Sequence, residues 1–331
     1  VGVERKTEAA TSFSLGESRD ARLGTIAYVF LTVAICTWNR AELLRQTLER
    51  MTLLTVPRDV TWELLVVNNN CTDATDSIVA GYTDRLPLRA LWESTPGLSN
   101  ARNAAVAAAR GTYILWTDDD VLVNDDWLST YASAFACYTD ARVFGGPIKP
   151  WFADTPPRWL SESLHEVETA YAIRDFDFGD RELDNDLIPF GANMAFRTDA
   201  LREVQFNPAL GRTGTGMLGG EEEAVIRTLL QMGSQGRWVS GAEVQHYIPV
   251  ERQNVDYLRR FYEGVGASRA RMDGHMRGRL FLGRPRWVWT EFITTAMKYR
   301  LHRRFSPAPV WAQSLRRASM ARGRFTGRVA S

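Results

Sequence analysis

The stretch "GTYILWTDDDVLVNDDWL", residues 111–128, sets three aspartates at the end of an apolar run. Gly111 interrupts the pattern before it, Tyr113 to Thr117 read as a short buried strand, and Asp118, Asp119 and Asp120 stand where that strand emerges. Adjacent carboxylates repel one another, so a compensating charge is expected, and a hard divalent cation held through oxygen is the usual one. The plain alternative is a solvated acidic turn capping a helix that starts near Asn124 or Asp125. The cluster alone leaves both readings open.

Upstream, "YVFLTVAICTW" (28–38) is a strand pattern rich in Val and Ile, followed by Asn39, Arg40 and a helical spacing of Leu43, Leu44, Leu48 and Met51. "TWELLVVNNN" (61–70) reads as a second buried strand that runs into Asn68, Asn69, Asn70, Cys71, Thr72 and Asp73, with a helix over roughly Asp73 to Arg85. "LRALWES" (88–94) is a third strand. "TPGLSNARNAAVAAARG" (95–111) then places a Gly-containing loop carrying Arg102 before an Ala-rich helix. Alternating strands and helices predict an α/β fold, a Rossmann-like, mostly parallel sheet covered by helices on both faces. Such sheets bind ligands beyond the carboxyl ends of their strands. The polar clusters at Asn39, at Asn68 to Asp73 and at Asp118 to Asp120 all fall at those ends, which favours a ligand site over a solvated turn.

Downstream the alternation fades. "ARVFGGPIKPWF" (141–152) suggests a strand and turn, and "LIPFGANMAFRTDAL" (187–201) a strand, a tight turn at Gly191 and another strand. "GRTGTGMLGGEEEAVIRTLLQMG" (211–233) sets Gly219 and Gly220 before Glu221, Glu222 and Glu223, which open a helix. Acids suit a first helical turn on structural grounds alone, but three of them behind a glycine-rich approach exceed that need. "GRWVSGAEVQHYIPV" (236–250) reads as a strand pair carrying His246.

Composition excludes several classes. Three widely spaced cysteines, Cys36, Cys71 and Cys137, form no disulfide framework and no CxxC site, and fit a reducing cytoplasm. Four histidines without an HExxH arrangement argue against a zinc hydrolase. No apolar run reaches the length of a membrane span, and residues 1–24 read as a flexible leader. The net charge of +1 conceals an asymmetry. Residues 251–331 hold 18 Lys/Arg against 5 Asp/Glu, while residues 1–250 hold 22 against 34.

Taken in order, "VAICTWNR", "LLVVNNNCTDAT", "TPGLSNARNAAVAAARG", "YILWTDDD", "PFGANMAFR", "GGEEEAVIRTLLQMG" and "VQHYIPVER" resemble the motif series of the family 2 glycosyltransferases, inverting enzymes with the A-type glycosyltransferase (GT-A) fold. The resemblance covers about residues 30 to 265. It implies a catalytic domain over 25–250, with a nucleotide-binding half at 25–120 and an acceptor-binding half at 121–250, followed by a basic helical extension at 251–331. It also implies a nucleoside-diphosphate sugar donor (UDP first), Mg²⁺ or Mn²⁺ at a DXD-type motif, and a hydroxyl or amine acceptor that is a sugar, a lipid-linked molecule or a small molecule.

Carried onto this chain, the family pattern puts Asp120 on the metal and Asp118 or Asp119 near the ribose or sugar. Thr37, Asn39, Asn68 and Asn69 frame the nucleoside, with Asn68 standing where the family commonly has an acid. An amide both donates and accepts where a carboxylate only accepts. Arg102 resembles a basic residue that approaches the nucleotide, and His246 one that approaches the metal or diphosphate. The general base maps onto Glu222, with Glu221 as runner-up. Glu222 is one methylene longer than the family's usual Asp, which moves the carboxylate about 1 Å. Trp151, Trp159 and Phe190 are acceptor-site candidates, because aromatic faces stack on sugars.

A sugar nucleotidyltransferase is a second reading, weakened by the lack of a glycine- and lysine-rich triphosphate loop. A nucleotide-sugar or carbohydrate-binding protein without turnover is a third. For the basic end, helical packing on the catalytic domain comes first. Contact with an anionic membrane surface, peripheral on the cytoplasmic face, follows. No nucleic acid is expected, since zinc-finger spacing and single-strand-binding aromatic motifs are missing.

Overall fold

The computed structural model describes residues 29–211, 220–272 and 278–327. The expected leader and Gly219 lie outside them. The elements run β1 (Val29–Thr37), α1 (Ala41–Met51), β2 (Val60–Asn68), α2 (Thr75–Ala80), β3 (Leu88–Trp92), α3 (Leu98–Ala108), β4 (Tyr113–Asp118), β5 (Val121–Val123) and α4 (Trp127–Cys137). They continue with β6 (Ala141–Gly145), β7 (Ile148–Phe152), α5 (Arg158–Val167), β8 (Arg181–Glu182), β9 (Met194–Arg197), α6 (Thr198–Glu203), α7 (Glu221–Gln231), β10 (Gln235–Trp238) and β11 (Val244–Ile248). The last are α8 (Val255–Met272), β12 (Leu280–Phe281), β13 (Arg284–Pro285), α9 (Arg286–Phe305) and α10 (Ala308–Thr326).

An eight-stranded sheet has the order β3-β2-β1-β4-β9-β6-β10-β8. Strands β1 to β4 are parallel, while β9 runs antiparallel to both β4 and β6. A smaller sheet sets β11 between β5 and β7. Alternation along β1 builds two cores. Leu31, Val33 and Ile35 face one cluster with Leu44 and Leu48 of α1 and Trp127 and Tyr131 of α4. Ala34 faces the other, with Ala101 and Ala105 of α3 and Ile226 and Leu229 of α7. Gly111 breaks the apolar pattern because β4 enters hard against β1. A Cβ there would lie 2.4 Å from the Thr32 nitrogen.

The four leading strands sit where hydrophobic periodicity places them, and the departures are local. Helix α2 stops at Ala80, and residues 81–85 are turns. Helix α4 begins at Trp127, two or three residues later than expected. In 187–201 only Met194–Arg197 is a strand; Gly191–Asn193 form a 3-10 turn and Thr198–Glu203 a short helix. Strands β10 and β11 are no hairpin, for β10 joins the large sheet and β11 the small one.

The C-terminal helices are not an isolated appendage. Leu258 and Tyr262 of α8 and Trp311, Ala312 and Leu315 of α10 share a third core cluster with Leu160 and Val167 of α5.

Candidate active site

Strand β4 stays paired with β1 through Asp118, opposite Cys36. The chain then turns at Asp119 and Asp120 and enters β5, which pairs with β11 so that Val121 faces His246. This register brings the His246 ring, 126 positions further along the chain than Asp120, to the acidic turn. Its Nε2 lies 3.6 Å from Asp120 Oδ1. The backbone reinforces the join, with Tyr247 N–H donating to Asp120 O at 2.9 Å.

The triplet is no solvated turn: Asp119 is 3% exposed and Asp120 4%. Their compensating charge is a residue that the sequence reading passed over. Arg40 Nη1 lies 3.0 Å from Asp119 Oδ1 and 2.8 Å from Asp120 Oδ2. Thr37 Oγ1 donates to Asp119 Oδ2 at 2.8 Å. Burial pushes the Asp119 carboxyl up to about 7, with Arg40 drawing it down and Asp120 pushing it further up. The only advance signal for Arg40 was its position just past a strand end.

The asparagines after β2 build their own loop. Asn68 Nδ2 donates to Asp76 Oδ1 at 2.6 Å, and Asn68 Oδ1 accepts from Cys71 N at 2.8 Å. Asn69 Nδ2 donates to the carbonyls of Glu93 and Thr95, and Asn69 Oδ1 accepts from Gly97 N at 2.9 Å. Asn39, left-handed at φ 53°, accepts from Thr72 N at 2.7 Å. These bonds tie the ends of β1, β2 and β3 into one rim.

Arg102 is neither in a loop nor on a helix surface. It lies within α3, 3% exposed, with Nη1 2.8 Å from Glu221 Oε1 and 3.8 Å from Glu222 Oε2. The faces of Trp116 and Phe206 flank its guanidinium at 5.8 Å and 5.3 Å. Gly191 leaves it room, since a Cβ there would meet Arg102 Nη2 at 2.2 Å. Burial, then the charge of Glu221, pushes the Glu222 carboxyl up to about 7, and Arg102 draws it down. The two acidic clusters are neighbours, since Arg102 feels the charges of Glu221, Glu222 and Asp118. Cys36, between them, has its thiol pushed up to about 12, first by burial.

The aromatic candidates separate. Trp151 on β7 makes an edge contact with Tyr247, next to His246, at 4.8 Å. Phe190 precedes Gly191 and carries the Arg174 guanidinium on its face at 4.8 Å. Trp159 is used instead in packing α5 on α10, 5.2 Å from Trp311.

A β1–β4 parallel unit with acids at its carboxyl edge, an antiparallel β9 and a small second sheet under the acidic turn is the GT-A architecture. The mannosyltransferase PcManGT from Pyrobaculum calidifontis, solved in complex with GDP-Man and Mn²⁺, matches it at a TM-score of 0.57 and 16% identity, over 89% of this chain and 87% of that one. That likeness shows the fold. The sequence profile of glycosyl transferase family 2 matches residues 32–205, more than half of the 331 residues, and the chain belongs to that family.

Among curated relatives, the succinoglycan biosynthesis protein ExoM of Rhizobium meliloti is 26% identical over 241 residues, 71% of this chain and 72% of that protein. Validoxylamine A glucosyltransferase of Streptomyces hygroscopicus subsp. jinggangensis is 27% identical over 146 residues, 44% of this chain and 34% of that protein. Among the described residues, no helix is long and apolar enough to cross a membrane.

Proposed function

We propose that the protein transfers a sugar from a nucleoside-diphosphate sugar, UDP first, to a hydroxyl or amine acceptor with inversion at the anomeric carbon, and that the transfer depends on a divalent cation. The observation that carries this reading is the nearness of two acidic clusters, Asp118–Asp120 past β4 and Glu221–Glu222 at the start of α7, with buried Arg102 paired to Glu221 and close enough to Asp118 to feel its charge. The first cluster suits the leaving group and the second the acceptor.

The donor set fits Mg²⁺ or Mn²⁺. Among the described residues no group of three or more His, Cys, Asp or Glu forms a closed metal cage. An Asp120–His246 pair is what a cation shared with substrate phosphates needs, since such ions take one or two protein ligands and keep other positions for phosphate and water. When bound there, the cation would neutralise the diphosphate leaving group.

The chain's own residues do the rest. Thr37, Asn39, Asn68 and Asn69 frame the nucleoside, and Asp76, held by Asn68, supplies the carboxylate acceptor that the amide lacks. Glu222 removes the acceptor proton as the acceptor oxygen or nitrogen bonds to the anomeric carbon. The bond from that carbon to phosphate oxygen breaks, and its electron pair leaves with the diphosphate. Glu221, paired with Arg102, raises the affinity of Glu222 for the proton through its neighbouring charge. Trp151 and Phe190 offer apolar faces to the acceptor.

The test is nucleoside-diphosphate release from a panel of nucleotide sugars, with the product anomer read by NMR. Transfer abolished by EDTA, restored by Mn²⁺ or Mg²⁺ and giving the opposite anomer is expected. Retained configuration, or full activity in metal-free protein, would overturn the corresponding part.

A further inference from the structure

Between Gly278 and Gly327 the chain carries 11 Lys/Arg and one acid, Glu291. That acid is already paired with Arg324. On the same segment lies the largest run of exposed apolar side chains among the described residues. Ile293, Met297, Leu301 and Phe305 of α9 recur every fourth residue and are all exposed, Met297 by 63% and Phe305 by 72%. Residues spaced by four on a helix form one slowly winding row. Arg300 and Arg304 border the row on one side and Lys298 on the other, and all three are exposed.

The β12–β13 hairpin extends the row. Leu280, Phe281 and Leu282 are exposed, Leu282 by 75%. The hairpin is fastened to α9, with Trp289 Nε1 donating to Phe281 O at 2.9 Å and Arg286 N–H to Arg279 O. Its two-residue turn holds Leu282 at φ 46° and Gly283 at φ 74°. Such a turn favours Asn, Asp or Gly at the first position, and a leucine there costs backbone energy. Nothing inside the fold recovers that cost, since the side chain points outward.

We propose that α9 and the β12–β13 hairpin form a docking surface for an anionic phospholipid bilayer, with α9 lying in the plane of the membrane. Apolar side chains enter the acyl boundary while flanking Lys and Arg meet the headgroups. A lie-flat geometry follows from α9 being too polar to span. Nucleic acid would satisfy the charge but leave the exposed aliphatic residues in water. A second copy of the chain would bring two strongly basic faces together.

The test is co-sedimentation of the full chain with vesicles of phosphatidylcholine alone and with vesicles containing about one third phosphatidylglycerol. Binding roughly tenfold or more stronger to the anionic vesicles, weakened by salt, is expected. A variant carrying Leu282→Ser, Met297→Ser, Leu301→Ser and Phe305→Ser should melt like wild type and lose the binding. A second variant, Lys298→Gln with Arg300→Gln and Arg304→Gln, should lose the preference for anionic lipid. Absence of wild-type binding, unchanged binding in both variants, or tighter binding to nucleic acid than to vesicles would overturn the proposal. So would concentration-dependent dimerisation removed by the serine variant without any vesicle binding.

Discussion

Arg102 Nη1 sits 2.8 Å from Glu221 Oε1 and 3.8 Å from Glu222 Oε2, so one buried guanidinium treats two neighbouring acids unequally. Glu221 is 3% exposed and tied into the ion pair. Glu222, further from the positive charge and next to a negative one, holds its proton up to about pH 7. That difference suits Glu222 to the role of base proposed above. Glu222→Gln should keep donor and cation binding but lower the single-turnover transfer rate by roughly 10²–10⁴-fold. Near-normal transfer by that variant would move the base elsewhere.

The ion pair itself predicts a stability cycle. Arg102→Met leaves the Glu221 carboxylate buried without its partner, which costs about 3–5 kcal/mol in comparable cases. Arg102→Met combined with Glu221→Leu should recover most of that loss, because an apolar pair of similar volume avoids the uncompensated charge. Urea midpoints of the two single variants and the double variant measure the coupling. Simple additivity would show that the pair is not coupled.

Arg40 should matter twice. Arg40→Ala leaves Asp119 and Asp120 buried with less positive charge, so the melting temperature should fall and donor affinity should weaken. A divalent cation binding the same carboxylates should then raise the melting temperature of the variant more than that of wild type. Equal shifts in the two proteins would separate the Arg40 carboxylates from the cation.

The pH dependence has a definite sign. A base must be ionised to accept a proton, so transfer under saturating donor should rise with pH through about 7 and then level. Glu222→Gln should flatten that limb. For folding the sign is opposite. The folded carboxyl, raised from 4.5 to about 7, binds a proton that an unfolded chain would release. Its contribution to stability therefore falls as pH climbs across that window. Chemical denaturation of wild type and Glu222→Gln at pH 5 and pH 8 (chosen at about the window's ends) should show the difference.

Asn193 is a fifth target. Its Oδ1 accepts from Trp127 Nε1 at 3.0 Å and Tyr131 OH at 2.9 Å, while Nδ2 donates to the carbonyls of Pro147 and Ala242 at 2.9 Å and 2.6 Å. This buried amide joins α4 to the crossings between the two sheets. Asn193→Ala should cost about 3 kcal/mol or more, because several buried groups lose partners at once. A loss under about 1 kcal/mol would show that the surrounding groups find new partners.

Where a feature depends on neighbours in the chain, it was legible beforehand. The apolar runs at 29–37, 60–68 and 113–118 could bury themselves only as interior parallel strands, and the Ala-rich stretch at 98–108 could pack closely only as a helix. The polar residues ending those runs had to emerge at one edge of the sheet, which is why the sequence alone makes the acidic triplet a candidate site. Pairings across the fold were not legible. Arg40 meets Asp120 across 80 positions and Arg102 meets Glu221 across 119, and no local pattern encodes which cation reaches which acid. The same holds for strand partners: β10 and β11 are adjacent in the chain yet join different sheets. Hydrophobic periodicity sets which face of a segment is buried, but strand order, register and side-chain reach set what it is buried against. The charges at Asp119, Glu222 and Arg102 take their properties from those tertiary partners, so their chemistry could be assigned only once the sheet had brought them together.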